Sequence, residues 1–233
     1  LLASMQVVAL PLKSKFRGIT VREVALFQGP AGWGEFAPFL EYDDRESSTW
    51  LLSAIDAATN PAPMAHRGSI KVNATLPALN SAKEIEELLQ SFAGCDTVKI
   101  KVGENLGEDI VRVARVRALL PKAKLRLDVN GGWSVEQALI GLYEIYEEVG
   151  PLEYVEQPCA TLKELRQLKE KLVVEIKIAG DEVIRKAEDP FAINLHGAVD
   201  VIMLKVAPLG GITRAREIGA HHKLPMVVSS ALD

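Results

Sequence analysis

Residues Leu125–Trp133 read LRLDVNGGW. Leu125, Leu127 and Val129 alternate with Arg126, Asp128 and Asn130, and a glycine pair follows. A period of two predicts a strand with one apolar face, and the glycines predict a turn at its end. That strand ends on a carboxylate, Asp128. A single acid at a strand end is ordinarily a solvated edge or a helix cap. Its meaning depends on whether the rest of the chain repeats the arrangement.

The chain does repeat it. From Ile70 onward, strand patterns alternate with helix patterns. The strands are IKVNATLPA, TVKIKVG, LRLDVNG, LEYVEQP, EIKIAGDE, VDVIMLKVAP and LPMVVSSALD. Between them lie SAKEIEELLQSFA, GEDIVRVARVRALLP, SVEQALIGLYEIYEEVG, TLKELRQLKEK, DPFAINLHG and GITRAREIGAHHK, all read as helical. The strand-to-strand spacing of roughly 25–30 residues is that of βα units building a parallel sheet or barrel. No GxGxxG follows the first strand, so a barrel is preferred over an open doubly wound sheet. An eighth strand is not accounted for.

The first seventy or so residues read differently. MQVVALPL and GITVREVALFQGPAGWGEFAP are strands joined by turns, with GPAGWG as the hairpin signal. DDRESSTWLLSAIDAAT is an amphipathic helix with acids at its start, and NPAPMAHRG is a linker. The expected division is an α+β unit over 1–69 and a barrel domain over 70–233.

At 233 residues, 48% hydrophobic and 25% charged, the composition is that of a globular protein. A net charge of −4 offers no basic surface for nucleic acid or an anionic membrane. No apolar run reaches transmembrane length. LLASMQVVAL lacks a basic leader and reads as a strand. Cys95 and Cys159 make neither a disulfide framework nor a zinc spacing. A reducing, cytoplasmic location is expected.

Polar groups recur near the ends of five successive strands: Lys99 and Lys101, Asp128, Glu156, Asp181 and Lys205. In a parallel barrel these ends share one face, where active sites form. Buried and unpaired, such charges would cost several kcal/mol each, so they need a common partner. Three carboxylates make a hard-oxygen site for a divalent cation, Mg²⁺ above all with Mn²⁺ as a substitute, and no His or Cys at matching positions argues for zinc. A lysine beside a dication and another ammonium has its neutral form favoured. Lowering its pKa from about 10.4 to about 7–8 takes roughly 4 kcal/mol. The chemistry implied is proton abstraction from a carbon beside a carboxylate.

In this order, KIK, DVN, EQP, GDE and the later lysine resemble the enolase superfamily in its muconate-lactonising-like branch. The resemblance covers nearly the whole chain, GWGEFAP included. It implies an α/β fold: a (β/α)7β-type modified TIM barrel with an N-terminal α+β capping domain, here without the C-terminal end of the barrel. By resemblance Asp128, Glu156 and Asp181 are the metal ligands. Lys101 is the base that takes the α-proton and then protonates the departing hydroxyl, and Lys205 is the opposing lysine. KFRGITVRE, GWGEFAPFLEYD, VNATLPA, KVAPLGGITRA and VVSSALD are similar to actinobacterial dehydratases of menaquinone biosynthesis. Their substrate is a succinyl-bearing hydroxycyclohexadiene carboxylate. Two readings compete: an N-acylamino-acid racemase or dipeptide epimerase on the same scaffold, and a catalytically silent binding scaffold. A small-molecule carboxylate is the expected partner.

Several residues have a supporting role open to them. Lys99 tunes Lys101 by charge or pairs inside the barrel. Asn130 orients a ligand or water. Ser229 and Ser230 bond a substrate carboxylate or cap a strand. Gly210, Gly211 and Thr213 form an anion-binding turn or a plain one. Arg17 and Gly18 lie in a lid segment, where Arg17 steers an anionic substrate. His66, His196, His221 and His222 read as surface, Trp33 and Trp133 as loop packing, and Cys159 as a non-nucleophile.

Overall fold

The structure, a computed structural model, describes residues 1–16, 18–92 and 94–230, with residues 13–16 described by backbone only. Arg17, expected to steer substrate, lies outside the described residues. The chain divides into two compact units: Leu1–His66 together with Leu204–Asp233, and Arg67–Met203.

In the first unit, β1 (Gln6–Phe16), β2 (Ile19–Gln28) and β3 (Trp33–Phe36) form an antiparallel sheet. The β2–β3 turn closes through Gly29 N–H to the Gly32 carbonyl at 2.9 Å. Helix α1 (Asp44–Thr59) starts on Asp43, whose carboxylate accepts from Glu46 N–H at 2.8 Å. Its Ala54 and Ala58 pack against Phe27. The approach is close enough to require glycine: a Cβ on Gly34 would stand 2.2 Å from the Ala54 carbonyl oxygen. Trp33 is more than half exposed; Trp133 is buried.

The second unit carries β4 (Ala74–Leu76), β5 (Thr97–Lys101), β6 (Lys124–Asp128), β7 (Tyr154–Glu156), β8 (Lys177–Gly180) and the start of β9 (Val201–Lys205). Each strand pairs in parallel with the next, so sheet order follows chain order. Helices α2 (Ala82–Ser91), α3 (Leu106–Leu119), α4 (Val135–Val149) and α5 (Leu162–Lys171) make the crossovers. This is the wall of a (β/α) barrel. Every crossover helix begins on a side-chain cap: Ser81, Asn105, Ser134 and Thr161, the last two as reciprocal capping boxes. Val98, Ile100, Leu125, Leu127, Val155 and Ile178 are wholly buried, as are Val113, Val116, Leu142, Ile145, Leu165 and Leu168 on the helices. Helix α7 (Ile212–His222) and β10 (Met226–Ser229) belong to the first unit.

One helix departs from the sequence expectation. DPFAINLHG, read as a helix, is a run of turns, and a short α6 (Glu182–Arg185) directly follows Asp181 instead. The reason is local. Asp189 Oδ1 accepts from Phe191 N–H at 2.9 Å and Asn194 Oδ1 accepts from His196 N–H at 3.0 Å. These Asx turns compete with helix, and Gly197 closes the segment at φ 69°.

Arg112 ties β5 to its surroundings. It is buried, and its guanidinium donates to the Leu79 carbonyl (2.7 Å), the Lys101 carbonyl (2.9 Å), Asn80 Oδ1 (2.6 Å) and Asp109 Oδ1 (2.6 Å). Asp109 Oδ2 in turn accepts from Gly103 N–H at 2.8 Å. The pair therefore fixes the end of the strand that bears Lys101. Arg112→Met leaves Asp109 buried without its counter-charge. Urea unfolding of that variant is expected to show a loss of about 3–5 kcal/mol.

Candidate active site

The parallel register places the charged residues. Lys101 stands beside Asp128, and Asp128 beside Glu156, as direct partners on adjacent strands. Glu156 pairs with Ala179, and Asp181 follows two residues later, at the end of β8. Val98 and Ile100 point into the core, so Lys99 and Lys101 share the opposite side of β5. Asp128 is nearly buried, and Glu156 and Asp181 are wholly buried.

Such carboxylates need counter-charges, and the structure supplies them. Lys99 Nζ lies 3.0 Å from Asp128 Oδ2 and 3.3 Å from Glu156 Oε2. Lys101 Nζ lies 3.7 Å from Asp128 Oδ1. Arg185 Nε lies 3.5 Å from Asp181 Oδ1, and its Nη2 donates to Glu182 Oε1 at 3.1 Å. Asn130 donates its backbone N–H to Asp128 Oδ1 (3.2 Å) and its side-chain amide to Glu182 Oε1 (3.1 Å). Asn130 thus links the turn after β6 to the start of α6.

The donor set is oxygen-only and suits a hard dication. Among the described residues, however, no three Asp, Glu, His or Cys side chains are gathered into a group that could hold a metal ion. Cations of the chain itself lie against these acids. The Lys99 ammonium lies against Asp128 and Glu156, and Arg185 draws on Asp181.

The same contacts set the proton affinity of Lys99. Burial pushes its pKa down, but the charges of Glu156 and Asp128 and the hydrogen bond to Asp128 outweigh it, leaving the pKa above the ordinary lysine value. Two carboxylates face Lys99 and keep it protonated. Tyr154, beneath Glu156, is pushed up to about 12 by burial and then by that carboxylate. Cys159 is pushed up to about 11 by burial and the charge of Glu164, so it stays a thiol at neutral pH.

Other expected residues belong to the first unit. Lys205 ends β9 and falls in the first unit, as do Ser229, whose hydroxyl donates to the Ser230 carbonyl at 3.3 Å, and Ser230 itself. The four histidines are exposed or half-exposed, and His66 Nε2 lies 2.8 Å from Arg216. Gln157, Glu182 and Arg185 were not singled out in the sequence. The spacing of Arg185, four residues after Asp181 and three after Glu182, was the available signal. An open cavity of about 650 Å³ borders the site through Glu182 and is otherwise lined by residues such as Leu162, Val183, Lys186 and Ile193.

Comparison with known proteins gives this geometry its class. Sequence models of the enolase N-terminal domain-like and enolase C-terminal domain-like families match residues 7–58 and 81–228, placing the chain in the enolase superfamily. The o-succinylbenzoate synthase of Mycobacterium ulcerans (strain Agy99) is 53% identical over all of this chain and 70% of its own length. That of Mycolicibacterium smegmatis (strain ATCC 700084 / mc(2)155) is 50% identical over all of this chain and 72% of its own. The chain belongs to the o-succinylbenzoate synthase family. Membership implies a divalent metal and a small-molecule substrate. In fold it is similar to a dipeptide epimerase from Enterococcus faecalis V583 (TM-score 0.77, 21% identity, 97% of this chain and 80% of that one). It is likewise similar to the L-Ala-D/L-Glu epimerase from Bacillus subtilis (TM-score 0.76, 22% identity, 98% and 81%). No helix among the described residues is long and apolar enough to cross a membrane.

Lys99→Met tests the counter-charge assignment. Unfolding of the metal-free variant at pH 7 is expected to show a loss of about 3–5 kcal/mol, since Asp128 and Glu156 keep their burial and lose their shared cation. The folded pKa of Lys99 is raised, so its contribution is complete below the unfolded value of about 10.4 and fades as pH climbs through the folded one. The gap between parent and variant should stay level across neutral pH and narrow only in strong alkali.

Proposed function

We propose that the chain dehydrates 2-succinyl-6-hydroxy-2,4-cyclohexadiene-1-carboxylate to 2-succinylbenzoate in menaquinone biosynthesis. The observation that carries the reading is about 50% identity to several o-succinylbenzoate synthases over the whole chain. Within the family reaction, the charged row on β5–β8 gives each residue a part.

The two β5 lysines differ in how they are held. Lys99 is largely buried and contacts two carboxylates, whereas Lys101 has a 33% exposed side chain and one longer contact. Lys99 is committed to the protein, and Lys101 is the amine able to meet a substrate. Lys101 takes the proton from the carbon beside the substrate carboxylate, and the C–H electron pair moves onto that carboxylate as an enediolate. The same ammonium returns the proton to the departing hydroxyl. Water leaves, and the ring becomes aromatic. Lys205 is proposed as the second lysine that stabilises this charge. Asp128, Glu156 and Asp181 would hold the divalent cation, Mg²⁺ or Mn²⁺, which when bound offsets the negative charge gathered on the substrate. Residues 1–69 as a capping domain over a barrel within 70–233, and a cytoplasmic location, complete the proposal.

The test is a spectrophotometric assay for the aromatic product. Lys101→Ala should lose about 10³-fold or more in kcat. Chelation should abolish turnover and added Mg²⁺ should restore it. Undiminished turnover in Lys101→Ala would refute the base assignment. Deuterium exchange into N-acylamino acids or dipeptides without dehydration would instead identify a racemase or epimerase.

A further inference from the structure

Gln157 follows the proposed ligand Glu156 and is wholly buried. Its backbone lies in the left-handed region at φ 42°, where a side chain such as glutamine is uncommon. Each of its polar groups is used. The backbone N–H donates to the Ala179 carbonyl at 2.8 Å, and the backbone carbonyl accepts from Gly131 N–H at 2.6 Å. Side-chain Nε2 donates to the Cys159 carbonyl at 2.8 Å. Side-chain Oε1 accepts from Asp181 N–H at 2.9 Å and from Val183 N–H at 3.3 Å. One residue thus fastens the turn after β6, the end of β8 and the first turn of α6.

The contacts of Oε1 matter most. Asp181 is the N-cap of α6, and an aspartate there normally uses its own carboxylate to accept the helix's free N–H groups. Asp181 makes no such cap bond. The amide oxygen of Gln157 takes the Val183 N–H instead, from the neighbouring strand end. Capping from outside spares the Asp181 carboxylate the backbone cap; on α6 its Oδ1 meets the Arg185 side chain instead, at 3.5 Å.

We propose that Gln157 is a positioning residue: by capping α6 in place of Asp181 it keeps that carboxylate turned to the metal site. The inference rests on the reading of Asp181 as a ligand. Gln157→Met keeps the length of the side chain and removes the acceptor, so Asp181 should rotate to cap its own helix. Gln157→Glu keeps acceptor oxygens for both N–H groups. Mn²⁺ affinity of each protein, read from the EPR signal of free ion, is the measurement, with thermal unfolding in parallel. Gln157→Met should bind Mn²⁺ about 10- to 100-fold more weakly than the parent, the usual effect of losing a residue that orients a ligand. Gln157→Glu should bind at least as tightly as the parent. Parental affinity in Gln157→Met, or equal weakening in both variants, overturns the proposal. Should Gln157→Met not fold, Gln157→Glu decides alone: weakened binding in it refutes the capping role and retained binding upholds it. Absence of Mn²⁺ binding in the parent would defeat the ligand reading, and this inference with it.

Discussion

The local structure of this chain depends on one electrostatic constraint: Asp128 and Glu156 are held side by side, almost out of solvent, by a shared ammonium. An ionised carboxylate in such a place is costly without a partner, and Lys99 is placed to serve both. The contrast with the surface is instructive. Lys71 and Asp96 also pair, but with both side chains mostly exposed, where solvent screening leaves such a pair almost no value. The buried trio is different in kind, because two carboxylates out of solvent share the Lys99 ammonium and its removal takes a counter-charge from both at once.

The fold supplies what that row needs, namely register. Parallel pairing sets Lys101, Asp128 and Glu156 on a line, each opposite the next. Beyond the strand ends, backbone bonds continue the alignment. Val102 N–H donates to the Asp128 carbonyl, Val129 N–H to the Glu156 carbonyl and Gln157 N–H to the Ala179 carbonyl. Each loop is thereby tied to the neighbouring strand and not left free over the sheet. Arg112 and Asp109 brace the β5 end from the helix side, through the Lys101 carbonyl and Gly103 N–H. The acids are positioned by a rigid frame whose polar groups are themselves paired, which is the condition for a site accurate to fractions of an ångström.

Much of this frame was legible in the sequence, because a half-buried strand announces itself by alternation. TVKIKVG and LRLDVNG each gave the strand, the buried face and the charged face at once. What alternation does not encode is the partner of a charge. Lys99 could be read as a tuner of Lys101 or as an internal ion-pair partner, and only the register across β6 and β7 shows it against Asp128 and Glu156. DPFAINLHG carried enough apolar residues to resemble a helix, yet the Asp189 and Asn194 side chains bond their own backbone and hold it in turns. Gln157 was hidden for another reason. Its importance lies in a left-handed backbone and in bonds to N–H groups more than twenty residues away, and neither leaves a mark in a one-dimensional pattern.

The fold neighbours raise a last point about what such a site determines. Structures with the same architecture are epimerases at 21–22% identity, whereas the chain's relatives at about 50% are synthases. On the proposed reading, an amine that takes a proton from a carbon beside a carboxylate could serve dehydration and inversion alike, since either reaction can start by breaking that C–H bond. They diverge afterwards. An enediolate with no leaving group can only be reprotonated, whereas one with a hydroxyl on the adjacent carbon can expel it and gain aromaticity. The fate of the intermediate is therefore written largely in the substrate. On that reading specificity belongs to the groups that admit the substrate, and a shared fold does not by itself decide the reaction.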